Sequence, residues 1–265
     1  MEHESTLRLV IFFGLFCLFG ILEYLFPRRE RVQSQTRRWS TAWILLVIYS
    51  GLLFVMGLIT PVIIAVGAAS YAAINGWGLF NIIDLPVWVE FVLVIAILDW
   101  AIWFQHLITH KIPFLWRFHR VHHSDRDLDV SSAIRFHPVE IALSMLYKVV
   151  LVFIFGPAAA AVVIFEVILN GAALFNHANI KLPIKLDHML RKFIVTPDMH
   201  RIHHSDKRVE HDSNYGFSVS IWDHLFRTFT AEPDKGHERM TVGLRWQDDK
   251  PSNLVWVLKL PLDKL

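Results

Sequence analysis

Nine of the fifteen histidines in this 265-residue chain stand at spacings that can converge on metal ions. His106 and His110 are four residues apart, so on a continuing helix they share one face. His119, His122 and His123 stand at i, i+3 and i+4, and His200, His203 and His204 repeat that spacing eighty-one residues later. His177 lies in the segment Asn176-His177-Ala178-Asn179-Ile180. A metal binds neutral imidazole nitrogen at about 2.0–2.1 Å, and rings one helical turn apart can reach the same ion. Eight or nine imidazoles exceed what one ion takes, so two metals are implied. An all-imidazole dinuclear site with spare positions suits iron and dioxygen better than zinc, although ligand type alone leaves both open. With Cys17 as the single cysteine, no thiolate module, iron–sulfur site or disulfide framework can be built within one chain. His3, His188, His211, His224 and His237 lack such spacing and read as exposed or core-satisfied rings. His137 precedes Pro138, which suits the first turn of a helix at least as well as a tenth ligand.

The elements that must position these rings are apolar. The chain is 54% hydrophobic and 19% charged, where a soluble domain would be about 45–50% and about 25%. Leu9 to Leu22 is apolar or Gly throughout, and with its flanks approaches the ~20 residues of a bilayer span. Pro27, Arg28 and Arg29 follow in place of a small-residue cleavage site, which favours a retained span over a signal peptide. Trp39 to Ile83 holds 45 residues without a charge or a His. Parity makes 39–58 a span and 61–83 an embedded piece that does not cross. Val87 to Phe104 is a third run, and Val139 to Phe175 breaks at Gly156-Pro157 into a helical hairpin. The fold class expected is all-α: an integral membrane bundle of about three full spans plus a hairpin, with a His-rich helical cap.

Loop charge assigns the sides. Residues 28–38 hold five Arg, residues 111–137 hold five Lys or Arg, the tail from Lys181 onward is rich in both, and residues 60–86 hold neither. The positive-inside rule places the first three regions, and with them every dense His cluster, in the cytoplasm. The net charge of +2 is too small to argue for nucleic acid. Within the spans, Asp99 shares a helical face with His106 and could hold a ligand His or a nearby Arg, or form an interhelical pair. Glu166 and Lys148 are expected to pair across the hairpin. Trp39, Trp43, Trp77, Trp88, Trp100, Trp103 and Trp116 read mostly as an interfacial belt.

The text around the histidines resembles the fatty acid hydroxylase / sterol desaturase superfamily of membrane-bound di-iron oxygenases. It comprises Leu98-Asp99 with Gln105-His106 and His110, then Leu115-Trp116-Arg117-Phe118-His119-Arg120-Val121-His122-His123-Ser124-Asp125, then Arg135-Phe136-His137-Pro138-Val139-Glu140. Asn176-His177-Ala178-Asn179-Ile180, Thr196-Pro197-Asp198-Met199-His200-Arg201-Ile202-His203-His204-Ser205, Asn214-Tyr215-Gly216 and Ile221-Trp222-Asp223-His224-Leu225-Phe226 follow in the family's order. The resemblance implies that His106, His110, His119, His122, His123, His200, His203 and His204 form an eight-histidine catalytic core, with His177 an additional ligand. It implies two ferrous ions, dioxygen as co-substrate, and hydroxylation or desaturation of a C–H bond in a lipid such as a fatty acyl chain or sterol-like molecule. Leu107 stands where relatives often have Arg, and His224 with Arg227 stand where Arg and Gly are usual.

The expected organisation is an N-terminal membrane segment (1–86), a catalytic domain (87–230) and a cytoplasmic tail (231–265), the outer two adding topology and a soluble tail. The chain shows no nucleotide fingerprint, so electrons would come from a ferredoxin, cytochrome or flavin reductase docking on the basic face. The competing class is a histidine-rich membrane transporter or sensor for zinc or iron, which should carry ligands near the middle of several spans. A haem protein would need paired His on facing spans. A reporter fused after residue 265 is expected to read cytoplasm and one at residue 1 the outside. Both on one side would break the parity assignment.

Overall fold

Each apolar run long enough to cross a bilayer is a helix in the computed structural model, which describes residues 4–264. His3 lies outside the described residues. Five helices have the length and hydropathy of spans: α1 (Glu4–Leu25), α2 (Gln35–Ile59), α4 (Val87–Lys111), α6 (Pro138–Phe155) and α7 (Ala159–His177). At 1.5 Å per residue they run roughly 27–38 Å, against a hydrocarbon core of about 30 Å. The protein is therefore an all-α membrane bundle of three spans plus a hairpin. Among the described residues there is no strand, only isolated bridges such as Pro27 with Ile180.

Between α2 and α4 the chain forms α3 (Ala65–Asn75), whose 11 residues span about 16 Å and cannot cross. Its buried stripe of Ala65, Ala68, Ala69 and Ala72 packs on Met145, Val149 and Val152 of α6. The hairpin turn then meets the segment after α3 backbone to backbone. Gly78 and Gly156 both have positive φ, and a Cβ on Gly78 would stand 2.2 Å from the Gly156 nitrogen. Only glycine fits such an approach. Asn81 Nδ2 donates to the Gly156 carbonyl at 3.1 Å, and Glu90 Oε1 accepts from the Ala158 N–H at 2.9 Å, satisfying an orphan donor at the start of α7.

The opposite end carries the cap. Arg28 N–H donates to Asn179 O and Lys181 N–H to Phe26 O, each at 2.9 Å, so α1 and α7 end side by side. The cap comprises α5 (Pro113–His123), α8 (Ile184–Leu190), α9 (Pro197–His203), three single-turn helices, α10 (Arg208–His211), α11 (Ile221–Leu225) and α12 (Gly236–Arg239), and α13 (Leu254–Lys259). Arg38, at the start of α2, reaches into the loop after α5. Its Nε and Nη2 meet Asp125 Oδ1 and Oδ2 at 2.7 and 2.8 Å, and its Nη1 meets Asp129 Oδ2 at 2.6 Å. Glu23, buried at the end of α1, accepts from the Val130 and Asn179 N–H groups at 3.1 and 3.0 Å.

These contacts correct the expectation that the first ninety residues add topology alone: they clamp the loop that follows the first histidine triplet. The C-terminal segment is likewise no free tail. Arg120 Nη2 donates to Leu260 O at 2.5 Å, Arg135 donates to Pro251 O, and His137 Nε2 faces Leu258 O at 3.4 Å. His137 also caps α6, its Nδ1 accepting from the Val139 N–H at 3.2 Å, which is the structural role.

Burial alone would push the Asp125 carboxyl up, but Arg38 outweighs it and holds Asp125 at about 2. Arg38→Met should therefore remove the cation shared by Asp125 and Asp129, leaving Asp129 only the longer 3.5 Å approach of Arg31 Nε, and cost ~3–5 kcal/mol of unfolding free energy. Arg38→Lys should recover only part of it, since an ammonium cannot make the fork. Denaturant unfolding in detergent measures both, and a loss below ~1 kcal/mol for Arg38→Met, the level of a surface ion pair, would refute the clamp.

Candidate metal centre

The nine histidines converge on two adjoining clusters. One contains His106, His110, His119, His123 and His203, and the other His122, His177, His200 and His204, with ligand atoms in each within 4.8 Å of one another. The i, i+3, i+4 spacing explains the division. On α5, residues 119 and 123 are a turn apart and face the first cluster, while His122 turns to the second. On α9 and the residue following it, His200 and His204 face the second cluster and His203 the first. Each triplet thus serves both clusters, and α4 and α7 supply the remainder from their ends. Pro at the first turn and the Thr196 hydroxyl, accepting from Met199 N–H at 3.3 Å, start the short α9 where its rings must stand.

The outer ring nitrogens define the tautomers. Nδ1 of His106 faces the Tyr215 carbonyl at 2.7 Å, that of His203 the Ser213 carbonyl at 2.6 Å, and that of His177 the Ala173 carbonyl at 2.7 Å. Nδ1 of His122 faces the Arg135 carbonyl at 3.3 Å. A carbonyl only accepts, so each Nδ1 carries the proton and each neutral ring turns a lone pair inward at Nε2. Those lone pairs face one another: Nε2 of His106 and His203 are 2.9 Å apart, and Nε2 of His122 and His177 are 3.0 Å apart. Such a pair needs a cation between or beside its members. Two nitrogens at ~2.1 Å from one ion and at right angles to each other lie about 3.0 Å apart, as here.

Protonated rings do not supply that cation, because burial, reinforced by the neighbouring imidazoles, holds His122, His123, His200, His203 and His204 well below the ordinary value near 6.5. Both ring nitrogens of His123 and His204 are buried without a hydrogen bond, and His110 Nδ1 lies 3.5 Å from Asp212, beyond good hydrogen-bond length. Unpartnered buried nitrogen is costly, and metal coordination satisfies it. The residues fit two metal ions, the donor set being imidazole throughout.

Several residues that the sequence reading quoted without a role position the rings. His119 Nδ1 is held by Glu140 Oε1 at 2.6 Å across the start of α6. Asp223 organises the loop whose carbonyls hold His106 and His203: Oδ1 accepts from Tyr215 N–H at 2.9 Å and Trp103 Nε1 at 3.0 Å, and Oδ2 from Gly216 N–H at 2.8 Å. Trp103 is thus buried in the site's support, not in an interfacial belt. Asp99 does not reach a clustered histidine or an Arg; it accepts from Trp222 Nε1 at 2.8 Å. His211, read as lacking ligand spacing, borders the first cluster, stacked on Trp116 with its Nδ1 on Ser205 O at 3.1 Å. Arg227 has φ +58, the left-handed region where glycine is free of strain. His188 and His224 are exposed, and His237 is buried beside Asp198 and Glu232.

A cavity of about 850 Å³ opens beneath the first cluster, with His106, His119 and Glu140 in its wall. Ile102, Met145 and Ala173 line it farther down, between α4, α6 and α7.

The family profile described as fatty acid hydroxylase matches residues 91–228. Ornithine lipid hydroxylase OlsE of Rhizobium tropici is 28% identical over 151 residues, 56% of this chain and 44% of the relative. Alkylglycerol monooxygenase of Homo sapiens is 26% identical over 167 residues, 60% of this chain and 35% of the relative. Its counterpart in Xenopus tropicalis is 28% identical over 177 residues, 64% and 37%. The chain spans less than half the length of these curated relatives. No solved structure matches significantly.

Asp223→Asn keeps the shape but puts an amide donor against N–H groups that require an acceptor. Bound metal should weaken ~10–100-fold, the usual effect of losing a group that orients ligands. Competition with a chelator measures this, and unchanged affinity would remove Asp223 from the support of the centre.

Proposed function

This chain belongs to the fatty acid hydroxylase family, and on that premise we propose that it is a membrane oxygenase which, with two irons and dioxygen, hydroxylates or desaturates a C–H bond of a lipid. The observation that carries the proposal is the pair of inward-facing Nε2 lone pairs in each histidine cluster, with His106 and His119 of the first cluster on the wall of a cavity within the apolar bundle. Under this reading His106, His110, His119, His123 and His203 hold one iron and His122, His177, His200 and His204 the other. Bound there, the irons supply dioxygen activation and removal of hydrogen from an unactivated C–H bond.

The chain's own residues supply the rest. Backbone carbonyls of Ser213, Tyr215, Ala173 and Arg135 keep the ligand rings in the tautomer that coordinates, and Glu140 keeps His119. The apolar cavity wall excludes water and holds an acyl or alkyl chain against His106 and His119. The relatives named for an ornithine lipid and for alkylglycerol support a lipid bearing a polar head as substrate.

The cap is assigned to the cytoplasm, supported by the Arg-rich segment 28–38 lying beside it. Electrons would come from a ferredoxin, cytochrome or flavin reductase docking there. The transporter reading is not favoured: both clusters sit at one end of the bundle, not midway along several spans.

The iron-replete protein is expected to contain close to two irons per chain, and both His122→Ala and His203→Ala should lose metal and activity together. Mass spectrometry of cellular lipids with and without the gene should show a shift of one oxygen or two hydrogens. Stoichiometric zinc after iron-replete expression, with transport and no oxygen consumption, would overturn the assignment.

A further inference from the structure

The cavity has a second polar end. Arg8 of α1, Lys148 of α6 and Glu166 of α7 all line it, far from the histidines. Glu166 is 11 residues before His177 on α7 and Lys148 eight residues beyond Glu140 on α6, which places the trio roughly 12–16 Å along the bundle from the metal clusters. Lys148 Nζ meets Glu166 Oε1 at 2.5 Å, and Arg8 Nη2 bonds Glu166 Oε2. The pairing across the hairpin expected from sequence is present, with Arg8 added from a third helix.

A mostly buried Lys148–Glu166 pair with Arg8 at its partly exposed edge is poor cement for a bundle that already packs apolar faces. Charge inside a span marks a functional site by default. The hydrogen-bond inventory says what it could receive. Both oxygens of Glu166 are engaged, while the Lys148 ammonium keeps further N–H groups and the Arg8 guanidinium keeps several. Glu4, at the first residue of α1, approaches Arg8 Nε at 3.4 Å, and with Nη2 on Glu166 the Arg8 guanidinium, itself in the cavity wall, has N–H groups beyond these two bonds. Facing the cavity are two cations, one carboxylate and a surplus of donors. An occupant group must therefore accept, and is best anionic.

The mouth is near this end. Leu9, Phe13 and Phe54 line the cavity and are 56%, 48% and 67% exposed on the flank of α1 and α2. A lipid entering there from the bilayer passes the trio before its chain reaches His106 and His119.

We propose that Arg8 and Lys148, held in place by Glu166, form a subsite that receives an anionic polar terminus, carboxylate or phosphate, of the lipid occupying this cavity. The inference rests on the lipid-oxygenase reading and adds a ruler to it: the carbon presented to the histidine centre lies on the order of 12–16 Å from the anchored group.

The test measures binding, not turnover. Metal-replete protein in nanodiscs is titrated with a spin-labelled long-chain fatty acid, its methyl ester, and a spin-labelled lysophosphatidic acid. At least one anionic probe should bind about tenfold tighter than the ester, and which one does identifies carboxylate or phosphate. Lys148→Met should erase that preference and Lys148→Arg retain it. Because Lys148→Met leaves Glu166 half paired and could fail to fold, Arg8→Gln, at the partly exposed edge, is the second variant and should reduce the preference severalfold. Equal tight binding of all three probes, indifferent to these variants, overturns the subsite while leaving the lipid reading intact. Absence of binding by every probe overturns the lipid reading as well.

Discussion

A neutral imidazole has one N–H and one lone pair, and the structure depends on where the N–H goes. Four of the nine clustered rings direct it outward to a backbone carbonyl and His119 directs its own to Glu140, so their lone pairs point at common centres. The carbonyls must be held as rigidly as the rings, and that requirement propagates. The loop carrying Ser213 and Tyr215 is irregular and has no helix to order it. Asp223 orders it through two backbone N–H groups, and Asn214, at φ +53, ties it to Met199 O and Thr230 O at 2.9 Å. Ala173 and Arg135 need no such brace, being fixed by α7 and by the clamp around Asp125.

The same logic explains why charged residues sit at the ends of apolar helices. Taking Arg38, Asp125 and Asp129 out of water is unfavourable, and their mutual bonds offset that cost only when geometry is close to ideal. A bidentate fork to Asp125 with a third bond to Asp129 meets that condition. The gain is positional: the fork sets the angle at which the chain leaves the first histidine triplet, and Glu23 sets where that chain meets the end of α7. The N-terminal helices, which hold no clustered histidine, are thereby part of what keeps the two clusters adjacent.

Much of this was legible in sequence because period and length are local properties. The five spans, the break at Gly156-Pro157 and the non-crossing piece between α2 and α4 follow from apolar run length, and the triplets from helical spacing. What was not legible is what depends on distant contacts. Nothing in the spacing of His119, His122 and His123 says that the middle ring parts from its neighbours, because that turns on where α9 lies. Asp99 shares a face with His106, yet Trp222, distant in sequence, claims it. Glu23 and Arg38 carried a usable signal: a carboxylate inside an apolar run and a guanidinium at the mouth of another are costly unless paired. Counting Arg38 as a topology mark alone, and passing over Glu23, overlooked that they must find partners, and the cap is where partners are.

The arrangement as a whole resolves a conflict of solvents. The clustered rings of His106, His203 and His177 are neutral, buried and hydrogen-bonded imidazoles, held by backbone carbonyls of the cap and of the last turn of α7, which the middle of a lipid-facing helix, its own carbonyls all engaged, could not spare. The lipid proposed as substrate would need the opposite, a chamber bounded by span side chains. Placing the clusters where α4 and α7 leave the apolar bundle gives His106 and His177 a foot in each environment, and lets the cavity wall pass from Met145 and Ala173 to His106 within a few turns. Only residues at helix ends can serve both, which is why the histidine text clusters at the borders of the apolar runs and is absent from their middles.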